Sequence, residues 1–298
     1  MQKVSIIIAT YDRQALLMDA LDSVFQQTWT NLEIIVVDDG SKDSTLTVLA
    51  KITDVRLKII ASQHIGAAAA RNLGIAKSTG DYIAFLDSDD TFLPNKIQKC
   101  VELFIQNPAL ILVHSAWVQK SVSKDSTCMR KVSTEGDARS NMLKFESIAL
   151  PCVMVKGSVL KKVKGFREHL ILAEDYDLWC RLAAHGPFGK IDEALTIVNH
   201  HAHNLCKPAY LVWSCKLDVI TYFFKHMDTI GIRSFKYYLS NLHYLIIYNH
   251  LKEGNFWQAL KHGVNCTLCY PTNIKDFADR LKHAIKKIDR ILFNSYFF

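Results

Sequence analysis

The sequence lacks any uninterrupted apolar run of the roughly 18 residues that a membrane-spanning helix needs. Its longest apolar stretches, residues 109–118 and 237–251, are broken by histidine and asparagine side chains. The opening MQKVSIIIATYDR is too short, and becomes polar too early, for a secretory signal, so we expect it to form a strand. These absences predict a cytoplasmic protein.

Cysteine is present but has no framework spacing. The eight cysteines are scattered, and only Cys266 and Cys269 form a C-x-x-C pair. A structural zinc site needs a second pair of ligands at standard spacing, and the sequence offers none nearby. We therefore favour ordinary cysteines on a helix face over a metal or redox site.

The common glycine-rich phosphate motifs are also missing. No G-x-x-x-x-G-K-[ST] occurs, which excludes a P-loop, and no G-x-G-x-x-G follows the first apolar run, which argues against a dinucleotide fold. The chain has no internal repeat and no recognised nucleic-acid-binding module, so we expect no nucleic-acid partner.

Charge and aromatic residues are unevenly distributed along the 298 residues. The formal net charge is +7, yet residues 1–206 carry equal numbers of basic and acidic side chains. Residues 207–298 hold the whole positive excess and 18 of the 31 aromatic residues. This change in composition predicts one domain over 1–206 and a basic, aromatic-rich, helical C-terminal region over 207–298.

Short apolar runs alternate with helical patterns in the first domain, which predicts an α/β fold. Apolar residues recur at helical spacing over 16–25 and over 97–105, and Pro94 is suited to begin the second helix. Apolar strands between helices are typical of a mostly parallel sheet covered on both faces. The predicted strands are Val4–Ile8, Glu33–Val37, Leu57–Ile60, Ile83–Leu86 and Leu110–His114.

Residues 119–140 are polar and rich in serine, lysine and threonine. This composition predicts a long loop. The loop could be a flap over a ligand crevice or a meander at the edge of the sheet.

Polar residues follow three of the predicted strands. The first strand runs into Thr10–Arg13, the second into Asp38–Ser41 and the fourth into Asp87–Asp90. Ligands of parallel sheets bind where strands present their carboxyl ends, so we expect the three segments to line one crevice. The alternative is that acids and glycines simply end these strands.

The segment Asp87-Ser88-Asp89 has the spacing of a metal-binding pair. On an extended backbone Asp87 and Asp89 point to the same side. Hard cations such as Mg²⁺ or Mn²⁺ are commonly held by one or two carboxylates together with substrate phosphates. Such a tripeptide also occurs by chance, and its position after a buried strand is what favours a metal.

The stretch GAAAARNLG at 66–74 predicts a helix opened by small residues, with Arg71 on its second turn. Helix starts attract anions, and arginine can bind a phosphate with two hydrogen bonds, so a phosphate site is one interpretation. The other is a tightly packed helix with a surface arginine.

The stretch LAEDYDLWCRL at 172–182 carries Glu174, Asp175 and Asp177 at the start of an apolar helical face. Carboxylates at that place suit the helix dipole. One of them could instead be a general base above the crevice.

Three histidines occur in HHAHN at 200–204, but their spacing suits no standard zinc site. One of them could approach a phosphate-bound metal, and the alternative is a polar loop.

Taken in order, five motifs resemble those of the inverting family 2 glycosyltransferases of the GT-A fold, of the bacterial surface-polysaccharide type. The resemblance covers roughly residues 1–205. The motifs are SIIIATYDR, VVDDGSKDST, GAAAARNLG, YIAFLDSDD and AEDYDLWCRL.

This resemblance implies a UDP-sugar donor and a divalent metal, Mn²⁺ or Mg²⁺. The implied metal ligands are Asp89 and His201, with the neighbouring His200 as an alternative for the second. Thr10, Tyr11 and Asp39 would hold the uracil. Arg71 would lie near the diphosphate, and Asp87 would approach the ribose and sugar. The implied donor-nucleotide residues are Thr10, Tyr11, Arg13, Asp39, Arg71 and Asp87.

The resemblance also implies that Asp175 is the catalytic base, supported by Glu174 and Trp179. The base would take the proton of an acceptor hydroxyl, whose oxygen attacks the anomeric carbon from the face opposite UDP. An α-linked donor would then give a β-linked product. The Q-x-x-R-W motif of the family's polysaccharide synthases is missing, which predicts that one sugar is transferred at a time.

A basic amphipathic pattern lies near the end of the chain and suits an anionic membrane surface, where a lipid-linked saccharide acceptor would be found. This predicts a peripheral location on the cytoplasmic face of the inner membrane. The alternatives are a helical subdomain packed on the first domain or an oligomer interface. The apolar stripe consists of Phe277, Leu281, Ile285, Ile288 and Leu292.

Two other functions use related chemistry. A sugar nucleotidyltransferase would need a glycine-rich triphosphate loop with a lysine near the N-terminus, and the sequence has none. A non-catalytic sugar-nucleotide-binding protein would lack the base, whereas Asp175 is present.

Overall fold

A computed structural model describes residues 1–121, 126–143, 148–170, 172–200 and 209–226, with positions 243, 246–247, 249–250, 255, 257–259 and 261–262 beyond them. The chain divides into two compact units. One comprises Met1–Met142 with Glu146–His203, and the other comprises Leu143–Phe145 with Asn204–Phe298. Within the described part of the chain, no helix is both long and apolar enough to cross a bilayer.

Strands and helices alternate along the first unit. Its strands are β1 (Val4–Thr10), β2 (Leu32–Asp38), β3 (Leu57–Ala61), β4 (Tyr82–Asp87), β5 (Thr91–Phe92), β6 (Leu112–Ser121), β7 (Ser126–Arg130), β8 (Val153–Lys156) and β9 (Phe188–His200). The helices with described bounds are α1 (Gln14–Phe25), α2 (Thr45–Leu49), α3 (Ala67–Lys77), α4 (Lys96–Gln106), α5 (Arg139–Leu143), a 3₁₀ turn (Leu150–Cys152), α6 (Gly157–Lys162), α7 (Glu174–Ala183) and, in the second unit, α8 (Ala209–His226).

The strands form one sheet in the order β3-β2-β1-β4-β8-β6-β9-β5, and β7 pairs with β6. The part built from β3, β2, β1 and β4 is parallel, as the alternation of strands and helices predicted. Beyond β4 the sheet is mixed, because β8 runs antiparallel to both of its neighbours and β5 runs antiparallel to β9. The predicted α/β class is confirmed.

Both faces of the parallel part are covered, which explains why its strands are apolar throughout. Every residue of β2 is buried. Because successive side chains point to opposite faces, Ile34 belongs to a core cluster with Leu21 of α1, whereas Ile35 packs with Ala70 of α3.

Helix α3 lies close to the sheet because its residues are small. A Cβ atom added at Gly74 would lie 2.6 Å from Cγ2 of Ile7 on β1. The expected tight packing of this helix is therefore present, and it places Arg71 and Asn72 one turn earlier, at the carboxyl edge of the sheet.

The prediction of a long loop over 119–140 was wrong in its first half. Strand β6 continues to Ser121, and β7 pairs with it antiparallel from Trp117↔Arg130 to Ser121↔Ser126. Residues 119–121 and 126–130 therefore fit the alternative of a meander at the sheet edge, in which polar strands are held by backbone hydrogen bonds to each other. Strand β9 was missed for the same reason, because its sequence FGKIDEALTIVNH shows no continuous apolar run.

A buried carboxylate braces the end of the sheet opposite the predicted crevice. Glu33 is 2% exposed and accepts hydrogen bonds from Ser5 Oγ at 2.6 Å and Thr79 N at 2.9 Å, and it pairs with Lys58 and Lys3. Burial alone would raise the pKa of Glu33, but the hydrogen bonds from Lys58, Ser5 and Thr79 outweigh it and lower the pKa from 4.5 to about 2.

We expect Glu33→Gln to lower the free energy of unfolding at pH 7 by about 2 to 3 kcal/mol, a value that follows from the lowered pKa after allowance for the exposed lysine partners. Because the folded-state pKa is depressed, this contribution is complete above about pH 5 and is lost as the pH falls towards 2. Urea denaturation at pH 7 and pH 3 measures the difference, which should shrink at pH 3.

The matched control is Asp19→Asn, which changes an exposed carboxylate of α1. It should leave stability nearly unchanged at both pH values. An effect of Glu33→Gln that is equal at pH 7 and pH 3 would contradict the assignment.

Candidate active site

The register of the parallel strands brings the three polar segments to one edge of the sheet. Thr10 is paired with Asp38 across β1 and β2, and Ala9 is paired with Asp87 across β1 and β4. The loops that follow β1 and β2 are also bonded directly, since Asp12 Oδ1 accepts a hydrogen bond from Lys42 N at 2.6 Å. The residues after these strands are therefore neighbours, as expected for the walls of one crevice.

Asp39 anchors the loop that leads into α3. Its carboxylate accepts hydrogen bonds from Ile65 N at 2.7 Å, Gly66 N at 2.9 Å and Ser62 Oγ at 2.8 Å. A carboxylate has about four acceptor positions, so little of its capacity is unused. The structure therefore gives Asp39 a part in shaping the crevice, beyond the uracil contact that the sequence predicted.

An aromatic wall lies beside this loop. The ring of Tyr11 is 4.2 Å from the ring of His64, measured between centroids, and the two planes are inclined by 33°. The Nδ1 atom of His64 lies 3.2 Å from the carbonyl oxygen of Asp39. His64 was not singled out from the sequence, because nothing in its local pattern indicates that it meets Tyr11.

Two buried polar atoms at the strand ends have no hydrogen-bond partner among the described residues, namely Thr10 Oγ1 and Asp38 Oδ1. Thr10 is 3% exposed and Asp38 is fully buried. Unpaired buried polar atoms are costly and usually have an explanation such as a ligand or water. The family resemblance predicts Thr10 as a donor residue, whereas it assigns Asp38 no separate role.

Arg71 connects the end of β4 with the start of α7. Its Nη2 donates to Asp87 Oδ1 at 2.9 Å, and its Nη1 donates to Glu174 Oε1 at 3.1 Å. The side chain is 12% exposed, so the alternative of a surface arginine was wrong. Burial lowers the pKa of Arg71, but the charges of Asp87, Glu174 and Asp175 outweigh burial and the net pKa is raised.

Asp89 pairs with Arg13, which lies at the start of α1. The distance from Arg13 Nη1 to Asp89 Oδ2 is 2.8 Å, and the aspartate is 8% exposed. Asn199 at the end of β9 donates from Nδ2 to the carbonyl oxygen of Asp89 at 2.7 Å and from its backbone N to Asp90 Oδ1 at 2.8 Å. Burial and the charge of Asp87 raise the pKa of Asp90 to about 8.

The donor set at the end of β4 fits a hard cation that shares its coordination with a ligand. Among the described residues, no group of three or more histidine, cysteine or acidic side chains is arranged to hold a metal ion alone. Mg²⁺ in nucleotide sites is typically held by one or two carboxylates and completed by phosphate oxygens and water. Asp87 and Asp89 supply that number of carboxylates.

The carboxylates of α7 divide into two that are partly exposed and one that is buried. Glu174 is 23% exposed, and Asp175 is partly exposed and accepts a hydrogen bond at Oδ1 from Tyr176 N at 2.6 Å. Asp177 is buried between Arg167 at 3.1 Å and Arg181 at 2.8 Å, which indicates a structural role.

Trp179 lies in the core below these carboxylates. It is fully buried, and its Nε1 donates to the carbonyl oxygen of Ile148 at 3.0 Å. Its predicted support of the base can therefore act only through packing of α7.

His201, the predicted second metal ligand, lies outside the described residues, as do His203 and the apolar stripe from Phe277 to Leu292. His200, the alternative ligand, is the last residue of β9. Of the other predicted site residues, Arg13 pairs with Asp89, and Arg71 pairs with Asp87 and Glu174.

Asn72 and Asn199 were not predicted as site residues. Each uses its amide to hold a loop of the site. The sequence signal for Asn72 is its place directly after Arg71, whereas Asn199 has no local signal.

A comparison with protein families matches residues 5–162 to the model described as Glycosyl transferase family 2. Among curated proteins, an uncharacterized glycosyltransferase of Rickettsia felis is 35% identical over 201 residues. That match covers 66% of this chain and 33% of the relative, so the chain spans about one third of that relative's length. An Escherichia coli protein is 33% identical over 188 residues, covering 62% of this chain and 72% of its own length, and is named UDP-Glc:alpha-D-GlcNAc-diphosphoundecaprenol beta-1,3-glucosyltransferase WfaP.

Two solved structures share the fold. Residues 1–349 of TarS from S. aureus, in complex with UDP-GlcNAc, align with a TM-score of 0.63 at 19% identity, covering 84% of this chain and 73% of that one. The mannosyltransferase PcManGT from Pyrobaculum calidifontis, in complex with GDP-Man and Mn²⁺, aligns with a TM-score of 0.65 at 15% identity, covering 95% and 80%.

Proposed function

Because the chain belongs to glycosyltransferase family 2 and has the GT-A fold, we propose that it transfers one sugar from a UDP-sugar to a hydroxyl of a saccharide acceptor, with inversion at the anomeric carbon. The observation that carries this proposal is the Arg71 bridge. It joins the strand end that bears Asp87 to the helix start that bears Asp175. A donor-binding edge and a candidate base are thereby held side by side within one unit.

The donor is assigned to the crevice at the ends of β1 and β2. Thr10, Tyr11 and Asp39 hold the base, and the unpaired Thr10 Oγ1 offers a hydrogen bond there. The names of two similar proteins support a UDP-sugar, since WfaP is called a UDP-Glc transferase and TarS was crystallised with UDP-GlcNAc. The GDP-Man bound by PcManGT makes guanine the competing base.

A divalent cation, Mn²⁺ or Mg²⁺, would be held by Asp89, with Asp87 beside it on the ribose and sugar side and His201 as the second ligand. When bound, the cation would neutralise charge on the diphosphate leaving group. The excess of carboxylates over arginines at this edge favours a cation. The Mn²⁺ in the PcManGT complex agrees with this assignment.

Asp175 acts as the general base. Its carboxylate accepts the proton of the acceptor hydroxyl, and the oxygen attacks the anomeric carbon from the side opposite the nucleotide. The new glycosidic bond forms as the bond from that carbon to the diphosphate oxygen breaks, and UDP leaves with that electron pair. An α-linked donor therefore gives a β-linked product. Glu174 precedes the base, and Trp179 fixes its helix in the core.

The acceptor is a lipid-linked saccharide of surface-polysaccharide assembly. WfaP is named for a diphosphoundecaprenol-linked acceptor, and the basic amphipathic pattern of residues 277–292 suits the anionic membrane that would carry such a lipid. The enzyme works at the cytoplasmic face of the inner membrane.

We expect Asp175→Asn to reduce the rate of transfer at least ~100-fold, because a positioned base contributes about 10²–10⁴. UDP affinity and the thermal midpoint should stay unchanged, since the amide keeps the size of the side chain. Single-turnover transfer measures the rate, and Asp192→Asn, which alters a carboxylate that is 62% exposed, is the control. Unchanged transfer by Asp175→Asn would show that the base has been misassigned.

We expect chelation of divalent ions to weaken UDP binding at least ~10-fold, with recovery when Mn²⁺ is added, because the cation and the diphosphate share coordination. Asp89→Asn should lose this metal dependence. Calorimetry with UDP and GDP, with and without Mn²⁺, measures both effects, and preference for GDP would contradict the uracil assignment. A panel of nucleotide sugars assayed for release of the nucleoside diphosphate then identifies the donor.

We expect deletion of residues 275–298 to reduce sedimentation with vesicles that contain anionic phosphatidylglycerol, because the deletion removes the basic amphipathic pattern of residues 277–292. Vesicles of neutral lipid should retain little of the full chain and little of the shortened chain. Equal recovery of the full chain and the shortened chain with anionic vesicles would refute membrane binding by this segment.

A further inference from the structure

Both terminal nitrogens of Arg71 donate hydrogen bonds to carboxylates of the protein. One donates to Asp87 and the other to Glu174, at 2.9 and 3.1 Å. The guanidinium carbon Cζ also lies 5.6 Å from the ring centroid of Phe166, within the range of a cation–π contact. Phe166 in turn meets Phe85 of β4 edge to face, with centroids 5.2 Å apart. The guanidinium therefore lies in a pocket built from β4, from α7 and from the segment that precedes α7 and begins at Val163.

The next residue of α3 holds the same segment by its backbone. Asn72 Oδ1 accepts a hydrogen bond from Phe166 N, and Asn72 Nδ2 donates to the carbonyl oxygen of Phe166, both at 2.8 Å. Gly165 has a left-handed backbone with φ of 60°, and a Cβ atom there would lie 2.4 Å from Asn72 Oδ1. The contact of Asn72 with this segment therefore requires a residue without a Cβ atom at position 165.

Helix α7 closes the segment from its other end. Arg181 donates to the carbonyl oxygens of Val163 at 2.8 Å and Gly165 at 2.7 Å. The residue that precedes α7, Ala173, adopts a left-handed conformation with φ of 60°, which is unfavourable for a residue with a side chain. Such a conformation persists only where surrounding contacts impose it, and the residue that follows Ala173 is Glu174, which pairs with Arg71.

On the basis of the proposed function, we propose that Arg71 and Glu174 are positioning residues, and that the bridge Asp87–Arg71–Glu174 sets the place of Asp175 relative to the donor. Arg71 acts through Glu174, and it is not a ligand of the diphosphate. Because Glu174 and Asp175 are consecutive on the first turn of α7, movement of one moves the other. A misplacement of about 1 Å can cost about 100-fold in rate.

The kinetic test compares Arg71→Met, Glu174→Gln and the double variant. As positioning residues, each single change should lower kcat by about 10- to 100-fold while the Kd for UDP changes less than twofold. The double variant should be no slower than Arg71→Met alone, because the two residues act as one unit. Arg71→Lys should restore part of kcat, since a lysine can reach one carboxylate but cannot bridge two.

The second test needs no substrate. In the free protein, backbone amides of residues 163–176 should exchange with deuterium at least ~10-fold faster in Arg71→Met and Glu174→Gln, because a local contact that closes the segment is lost. Arg56→Met is the matched control. It removes an arginine from an ion pair with Asp54 that is also partly exposed, and it should leave exchange at 163–176 unchanged. Thermal midpoints show whether each variant is folded, and Glu174→Gln remains informative if Arg71→Met does not fold.

The outcomes separate this inference from the proposed function. Faster exchange in a protein that transfers no sugar would support the bridge and reject the proposed function. Normal exchange with an unchanged kcat in Glu174→Gln would overturn the bridge and leave the proposed function intact. A tenfold loss of UDP affinity in Arg71→Met, with kcat unchanged, would make Arg71 a diphosphate ligand and also overturn the inference.

Discussion

The close packing of α3 against the sheet is the constraint on which the arrangement of the site depends. Gly74 allows the helix to approach Ile7 so closely that one added carbon would lie 2.6 Å away. Close side-chain packing leaves little room for adjustment, so a larger residue would push the helix outward. One turn earlier, Arg71 and Asn72 would move with it and lose contacts with Asp87 and Phe166. A packing detail in the core therefore controls the geometry at the edge of the sheet.

Electrostatic balance at that edge is assembled from distant parts of the chain. Asp87, Asp89 and Asp90 are almost consecutive, and like charges at such short range would repel one another. Arg13 and Arg71 each neutralise one of the first two, and the raised pKa of Asp90 favours its neutral form. The cluster therefore needs no ligand in order to be tolerated. With Glu174 and Asp175 included, negative charge still predominates, which leaves the site attractive to a cation.

The parallel half of the fold was predictable because its physical signals are local. Strands buried on both faces are apolar throughout, and α4 begins two residues after Pro94 and ends at Gln106, before Asn107-Pro108. Strand β9 and the β6–β7 pair were missed because cross-strand hydrogen bonds, and not apolar side chains, define them.

The candidate site was predictable only to the level of motifs. The polar segments could be placed together because the carboxyl ends of parallel strands lie at the same edge of a sheet. The register of β1 with β2 and β4 agrees with this placement. The ion pairs of the site could not be predicted from the sequence, because Arg13 and Asp89 are 76 positions apart and Arg71 and Glu174 are 103 positions apart. No spacing rule reaches across such intervals. The aromatic contact between Tyr11 and His64 could not be predicted for the same reason.

The contacts of Asn72 also bear on how related chains could be recombined. Residues 165–168 are held by α3 through the backbone of Phe166 and the side chain of Glu168, and not only by their own neighbours. A chimera with its junction anywhere between residues 73 and 164 would take α7 and the segment before it from one parent and Asn72, which anchors that segment, from another. The unit that should be exchanged as a whole therefore consists of residues 163–183 together with positions 71 and 72 of α3.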